Sequence, residues 1–408
     1  MRSRRPFALL ASCSLTAGLA TVALSFGPGV TPALADGPGV GTPYVVSVGD
    51  SYISGEAGRW AGNTNTGEAY HDAGGANTYW DNPGRTAEAI NRCHRSESAE
   101  IFIGVAAANL ACSGAKTTTF TDSNGYFKPG LDFYSGAAGV GQARALQSFA
   151  TTHNVKAVAV SIGGNDFGFG GIVQTCVANF LGSPTWAKDY CSDDSSVTAN
   201  FTSANVSAQT ANIKNALLNL RTAMRNAGYA DGSWSLIAQT YESPLPGGSA
   251  IRYSESGFTR QNTGGCGFWN ADANWANATA LPTINNSVKN AVTQADIAGT
   301  KVLDLSSAFN GRRLCENTVG LLEEKGFSSW NQAGTVDQTE WVNQIRTVST
   351  CCGSNYYIQE SFHPNYWGQL ALRNCVRQVW NSGAVRGGTC TRGATGQNSF
   401  GEPNMVLS

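Results

Sequence analysis

Short apolar runs alternate with amphipathic stretches along most of this chain. Five runs are apolar enough to predict buried strands, and they cover residues 44–48, 101–110, 155–162, 235–240 and 301–305. Four stretches carry apolar residues at helical spacing: 140–153, 212–227, 282–298 and 367–380. Alternation of this kind predicts an α/β fold, in which helices cover both faces of a parallel sheet of about five strands.

Four long segments show neither the apolar run of a buried strand nor the helical spacing of apolar residues. They are rich in Gly, Asn, Thr and aromatic residues or carry cysteines, and they lie near 56–92, 175–205, 241–280 and 306–355. No repeat or low-complexity linker separates a second domain. We therefore predict one domain over residues 36–408, elaborated by irregular insertions, of which the first is a surface insertion.

Residues 1–35 have the layout of a secretory signal peptide. Three arginines lie among the first five residues, an apolar stretch follows, and Ala33-Leu34-Ala35 is a small-x-small cleavage site. A transmembrane anchor is one alternative, although Thr, Gly and Ser interrupt the stretch. A lipoprotein is another, because residues 10–13 form a lipobox-like Leu-Ala-Ser-Cys. We predict a secreted, extracellular protein.

The charge of the chain limits the classes of binding partner. Charged residues make up 13% of the chain and the formal net charge is −1, whereas an average protein has about 25% charged residues. The chain lacks the basic patch that binding to nucleic acid or to an anionic membrane requires. We therefore predict no nucleic-acid partner.

Cysteine usage agrees with export, because the set that remains after Cys13 is even. Its members are Cys93, Cys112, Cys176, Cys191, Cys266, Cys315, Cys351, Cys352, Cys375 and Cys390. Spacing does not fix their connectivity. Sequence-local pairs are one arrangement (Cys93–Cys112, Cys176–Cys191, Cys266–Cys315), which leaves Cys351 and Cys352 to reach separate partners among Cys375 and Cys390. A zinc site is the rival, but no C-x-x-C pair occurs and the chain has 4 histidines; we predict no metal.

Three separated segments carry candidate chemistry, and the first is Gly49-Asp50-Ser51. A serine at the carboxyl end of a parallel strand faces the crevice where ligands bind in open α/β sheets. A helix that starts there favours an oxyanion. The alternative is that Ser51 only caps that helix. We expect Asp50 to brace the loop rather than to react.

The second segment is Gly163-Gly164-Asn165-Asp166, directly after the strand predicted over 155–162. The Asn165 side-chain amide can donate to a developing oxyanion, and such a donor typically lowers a barrier by ~2.7–4 kcal/mol. The alternative is an ordinary turn, since these residue types favour turns.

The third segment places His363 before Pro364, in what we predict is the first turn of the last helix. The usual pKa range of histidine suits a general base at neutral pH. We expect Glu360, three residues earlier, to bind the other ring nitrogen and fix its tautomer. The alternative is a capping histidine beside a solvated Glu360.

In this order the segments resemble blocks of the SGNH hydrolases, the GDSL-type esterases and lipases, and are most similar to exported actinobacterial members. Residues 109–115 (NLACSGA) resemble a further block of the family, in which a glycine supplies an N–H group to the oxyanion hole, and Gly114 is the matching residue. The resemblance implies a three-layer α/β/α sandwich of flavodoxin-like strand order, a Ser51 nucleophile and no cofactor. It also implies an oxyanion hole of the Ser51 and Gly114 N–H groups with the Asn165 amide. Glu360 departs from the pattern, because the family acid is usually Asp, and some members use a backbone carbonyl instead.

The implied reaction is hydrolysis of carboxylic esters through an acyl-enzyme. By family analogy, acyl esters of lipids or phospholipids come first as substrates and carbohydrate O-acetyl esters second. A catalytically silent surface- or carbohydrate-binding protein is an alternative of another class. We expect a monomer that makes transient contact with a membrane or micelle surface. The Gly-x-Ser-x-Gly elbow of other serine hydrolases does not fit, because Ile53 stands two positions after Ser51.

Overall fold

The computed structural model describes residues 36–349, 355–357 and 359–408. Within these ranges one central sheet has seven strands, in the order β7-β6-β5-β4-β3-β1-β2. Adjacent strands are parallel, except for the antiparallel β6–β7 pair. The strands are β1 (Pro43–Gly49), β2 (Ala106–Asn109), β3 (Asn154–Ser161), β4 (Ser235–Gln239), β5 (Lys301–Asp304), β6 (Gly388–Gln397) and β7 (Pro403–Leu407).

The predicted α/β fold with a mostly parallel sheet is confirmed, but its strand number is wrong. The first five strands follow the order 2-1-3-4-5, which is that of flavodoxin-like sheets. Strands β6 and β7 extend this sheet as an edge hairpin, and the sequence of β6 (GTCTRGATGQ) has no apolar run that would mark it as a strand. Strand β2 is shorter than predicted, since residues 101–105 lie outside it although Ile101 and Ile103 are buried.

Six helices accompany the sheet: α1 (Ser51–Ser54), α2 (Gln142–Thr152), α3 (Phe169–Gly182), α4 (Ser203–Asn226), α5 (Leu281–Ala295) and α6 (Tyr366–Trp380). All four predicted helices are present with shifted ends. Helix α4 begins at Ser203 rather than at residue 212, because the Thr202 hydroxyl accepts from the Asn205 N–H at 3.4 Å and caps it there. Further short helical segments include Ser195–Thr198, Thr259–Asn262, Asn270–Trp275, Ala276–Ala280 and Thr335–Gln338.

Successive residues of β1 divide between two apolar cores. Val45 packs in one core with Leu370 of α6 and Val173 of α3. Val46 packs in the other with side chains of α2, α4 and α5, such as Leu217. Because successive strand residues point to opposite faces, helices cover both faces of the sheet.

Four disulfides join cysteines of the described ranges. Cys93–Cys112, Cys176–Cys191 and Cys266–Cys315 are the sequence-local pairs that spacing allowed. The expected pairing of Cys375 and Cys390 with Cys351 and Cys352 is wrong: Cys375 on α6 and Cys390 on β6 bond to each other, with their Cα atoms 5.9 Å apart. Cys351 and Cys352 lie outside the described residues.

The first insertion is more deeply packed than predicted. Trp60 and Ala61 are buried, Ala61 in the apolar core on the α3–α6 face, and Asn63 and Thr64 are buried as well. The prediction of a surface insertion is therefore wrong for residues 60–64, because the low periodicity of the segment concealed this buried run, whereas most of residues 65–92 are exposed or half-buried. Among the helices that the structure describes, none is long and apolar enough to cross a bilayer.

Candidate active site

Ser51 lies where β1 passes directly into α1, at the carboxyl end of a central strand. Gly49 makes this passage possible, since its φ is +133° and a Cβ there would lie 2.0 Å from the Ser161 carbonyl oxygen. Asp50 is the helix N-cap, and its carboxylate accepts from the Tyr52 N–H at 3.2 Å. The alternative in which Ser51 is the cap is therefore wrong: Ser51 is the first helical residue.

His363 is the direct partner of Ser51. Its Nε2 lies 2.7 Å from the Ser51 Oγ, and its Nδ1 lies 2.9 Å from the carbonyl oxygen of Ser361. A carbonyl oxygen can only accept, so Nδ1 carries a proton and Nε2 of the neutral ring is left to accept from the serine hydroxyl. The arrangement holds a base against the hydroxyl in the tautomer that can take its proton.

The segment around His363 is a loop, not a helical turn. Helix α6 begins only at Tyr366, and Asn365 caps it by accepting from the Trp367 and Gly368 N–H groups at 3.1 and 3.2 Å. The prediction that His363 lies in the first turn or caps the helix is wrong. Phe362 has φ +65°, a conformation that costs of order 1–3 kcal/mol for a bulky residue. It joins the Ser361 carbonyl to the His363 ring that this carbonyl orients.

Glu360 does not contact His363, and its predicted orienting role is wrong in this geometry. Its carboxylate accepts from the Trp60 indole N–H at 2.8 Å and from the Tyr79 hydroxyl. Burial raises the pKa of Glu360, and the repulsion of Glu56 adds to that effect. The sequence places an acid at the expected spacing, but the turn at Phe362 directs the Ser361 carbonyl to the ring instead.

Sequence reasoning missed Glu56, the carboxylate that acts on His363 through space. Glu56 is fully buried, accepts from His94 Nδ1 at 2.6 Å and from Gln359 Nε2 at 2.9 Å. Burial works to raise the pKa of Glu56, but the His94 partner outweighs it and the pKa falls to about 2. Burial lowers the pKa of His363, while Glu56 and the Ser361 carbonyl oppose that shift. No local motif marks Glu56.

Gly114 and Asn165 line the same cleft as Ser51 and His363. The Asn165 amide donates one N–H to the Ala115 carbonyl at 3.0 Å, which holds the amide and leaves its second N–H for another acceptor. Residues 163–166 are also a true turn, since the Asp166 N–H donates to the Gly163 carbonyl at 3.0 Å. The turn and the functional interpretation are therefore compatible.

Asp50 braces the loop that carries Ser51, as expected from the sequence. The Tyr241 hydroxyl donates to its carboxyl group at 2.5 Å. Burial raises the pKa of Asp50 to about 7, against the effect of the bonds from Tyr241 and Tyr52. Its bonds connect the start of α1 to the segment after β4.

Two cavities of different character meet beside Ser51. A polar cleft of about 940 Å³ contains Ser51 and His363, and an apolar cavity of about 590 Å³ adjoins it. They share Phe169, Val173 and Phe362 as walls. The apolar cavity is lined further by side chains such as Ile172, Phe201, Leu245, Phe268, Trp275, Leu281 and Ile284. A reacting group at Ser51 therefore has an apolar side and a polar side.

No protein-family model matches this chain, and none of the curated proteins searched matches it. Among solved structures, the chain is similar to the extracellular lipase from Streptomyces rimosus, with 19% sequence identity and a TM-score of 0.40. The match covers 84% of this chain and 99% of that lipase. Within the described residues, no group of three or more His, Cys, Asp or Glu side chains is arranged to hold a metal ion.

Proposed function

We propose that this chain is a secreted serine hydrolase of the SGNH type that cleaves carboxylic esters, with acyl esters of lipids or phospholipids as its first substrate class. One observation carries the proposal: His363 Nε2 lies 2.7 Å from Ser51 Oγ, while the other ring nitrogen donates to the Ser361 carbonyl oxygen. A serine and an oriented imidazole are the two groups that nucleophilic acyl transfer requires.

The mechanism follows from these contacts. His363 takes the proton of Ser51 as Oγ attacks the ester carbonyl carbon. The oxyanion accepts hydrogen bonds from the Ser51 N–H, the Gly114 N–H and the Asn165 amide. The Ser51 N–H is available because the first N–H groups of a helix have no carbonyl partner within the helix. His363 then protonates the leaving alcohol, and a water molecule repeats the cycle on the acyl-enzyme.

The apolar cavity supports an acyl chain as the group transferred. Its walls include Phe169, Leu281 and Ile284, which also line a smaller space of about 370 Å³ directly against Ser51 and Asn165. Burial of apolar surface contributes about 0.8 kcal/mol per CH₂ group, so a longer acyl chain gains binding energy there until the cavity is filled. An acetyl group leaves most of this wall uncovered.

Export is part of the proposal and rests on the signal-like residues 1–35 and on the four disulfides of the described ranges, such as Cys93–Cys112. An extracellular location gives access to lipid and polysaccharide esters.

The test is hydrolysis of p-nitrophenyl esters from acetyl to palmitoyl, beside a phospholipid and an acetylated xylan, by the wild type and by Ser51→Ala. We expect kcat/KM to rise from acetyl to medium chains and to vanish in Ser51→Ala. Preference for acetyl esters and release of acetate from xylan would favour the carbohydrate esterase. A folded wild type that turns over none of these esters would favour the silent binding protein.

A further inference from the structure

Two cations line the polar cleft and take no part in the lining of the apolar cavity. The charged side chains of this wall are Arg92, Lys128 and Asp122. Among the residues that the structure describes, no carboxylate forms an ion pair with the Lys128 ammonium or the Arg92 guanidinium. A lysine is rarely buried unless its charge is paired, so the absence of an ion pair at Lys128 needs an explanation.

Lys128 lies close to the proposed oxyanion donor. It is 4% exposed, and its Nζ donates to the Arg92 carbonyl at 2.8 Å. A Cβ on Gly114 would lie 3.5 Å from Lys128 Cε and 3.8 Å from Nζ. An ammonium has three N–H donors, and the bond to Arg92 uses one. Burial lowers the pKa of Lys128, although Glu56 and Asp122 attract its charge.

Arg92 is half-buried beside it, with its Cζ 5.1 Å from the centre of the Tyr126 ring. Tyr126 also lines the cleft. The one acid of the wall, Asp122, is engaged in its own turn, where its Oδ1 accepts from the N–H groups of Asn124 and Tyr126 at 2.9 and 3.0 Å. Both cations therefore line the cleft, and among the described residues no carboxylate lies within ion-pair distance of either one.

We propose that Lys128 and Arg92 bind an anionic group, a phosphate in the first place, on the alcohol side of the ester. This inference rests on the proposed function and deepens it. The acyl chain occupies the apolar cavity, the carbonyl lies at Ser51, and the alcohol leaves through the cationic wall. Charge-assisted bonds from a partly desolvated cation are stronger than neutral ones, and the planar guanidinium suits phosphate oxygens.

The first experiment compares two soluble esters with the same butyryl group: 4-carboxyphenyl butyrate, which is anionic, and its neutral methyl ester. We expect Lys128→Met to lower the anionic-to-neutral ratio of kcat/KM by about tenfold or more relative to the wild type, the factor that loss of a charged hydrogen bond gives. Arg92→Gln lowers it less, and activity on the neutral ester stays within about threefold. Arg92→Gln also keeps the test open if the buried Lys128→Met variant does not fold.

Two results would overturn the proposal. An unchanged ratio in both variants means that neither cation meets the alcohol. An equal loss on both esters in Lys128→Met means that the ammonium acts on the oxyanion or on the fold. Comparing 1-butyrylglycerol 3-phosphate with 1-butyrylglycerol in solution, and dioctanoyl phosphatidic acid with dioctanoylglycerol in micelles, distinguishes a soluble phosphate ester from a lipid headgroup as the source of the anion.

Binding separates this inference from the proposed function. Titration calorimetry of glycerol 3-phosphate into Ser51→Ala, with and without Lys128→Met, needs no turnover. Binding that Lys128→Met weakens about tenfold supports the anion site even if the wild type cleaves no ester. If glycerol 3-phosphate does not bind to folded Ser51→Ala while the wild type hydrolyses the neutral ester, the anion site is rejected and the proposed hydrolase function stands.

Discussion

His363 Nδ1 donates to the main-chain oxygen of Ser361, two residues before it, at 2.9 Å. The group that orients the base is thus part of the same loop, and its position depends on the left-handed backbone of Phe362 between them. A carbonyl fixes the tautomer as a carboxylate does but carries no full charge. The negative charge that acts on the ring comes from Glu56, which is not hydrogen-bonded to it.

Replacing Glu360 by Gln therefore should leave catalysis largely intact. We expect kcat/KM on p-nitrophenyl butyrate to stay within about threefold of the wild type, whereas His363→Ala should lose the ~10²–10⁴-fold that general-base catalysis supplies. Denaturant unfolding should show that Glu360→Gln is less stable by about 1–3 kcal/mol, because the Trp60 and Tyr79 donors lose an ionised partner. Equal kinetic losses in the two variants would restore Glu360 as the orienting acid.

The pH profile of kcat/KM tests the electrostatics of His363. Because burial lowers its pKa, the acid limb should have its midpoint below 6.5. Glu56→Gln removes a negative charge that favours the imidazolium, so the midpoint should move to lower pH. His94→Gln removes a positive charge that disfavours the imidazolium, so the midpoint should move to higher pH. Midpoints that coincide in all three proteins would contradict this coupling.

Gln359 ties the His363 loop to the segment that carries Gly114. Its Nε2 lies 2.9 Å from Glu56 Oε2 and 2.9 Å from Ser113 Oγ. We expect Gln359→Ala to lower kcat more than it raises KM, since displacement of catalytic groups by about 1 Å can cost 10²-fold. Gln359→Glu should be worse, because it sets a second carboxylate against Glu56.

The matched control for this tie is the double variant Glu56→Gln/Gln359→Glu, which removes the repulsion. Recovery of kcat to at least the level of Gln359→Ala would show that the two side chains act on each other. If the losses of kcat in the two single variants simply add in the double variant, the two side chains do not act on each other.

Much of this fold could be predicted, because the patterns that indicate its strands and helices lie within short stretches of the sequence. Five strands and four helices can be recognised from their apolar runs and helical spacing, and Ser51 follows the apolar run of β1 so closely that its place at a strand end can be predicted. The C-terminal hairpin could not be predicted, since strand β6 buries few side chains and carries no apolar run. The orienting group of His363 depends on the φ of a single residue, Phe362, and Glu56 lies far from His363 in sequence. Interactions of this kind leave no periodic pattern in the sequence.

Asn165→Ala tests the oxyanion site. We expect kcat to fall by about 10²–10³, as it does when one such donor is lost, with little change in KM. Asn165→Asp is the matched control: it keeps the shape of the side chain, replaces the donor by a charge of the wrong sign, and should be at least as impaired. Retention of more than about a third of kcat in Asn165→Ala would exclude Asn165 from the oxyanion hole.

The Cys375–Cys390 disulfide should stabilise the chain without serving the chemistry. The bond closes a loop with a sequence separation of 15, for which chain entropy gives about 3 kcal/mol. The Cys375→Ser/Cys390→Ser variant should unfold at lower temperature and keep most of its kcat/KM at 25 °C, since neither residue lines the cleft. Calorimetry and p-nitrophenyl butyrate hydrolysis measure the two effects. An unchanged melting temperature would contradict the predicted stabilisation.

The central claim is that Ser51, activated by His363, is the nucleophile. Its most direct test is reaction with a fluorophosphonate, followed by peptide mass mapping of the folded wild type, Ser51→Ala and His363→Ala. We predict one adduct on Ser51 in the wild type, none in Ser51→Ala, and labelling slowed by at least about 10² in His363→Ala. An adduct on another residue, or equal labelling of Ser51→Ala, would contradict the claim.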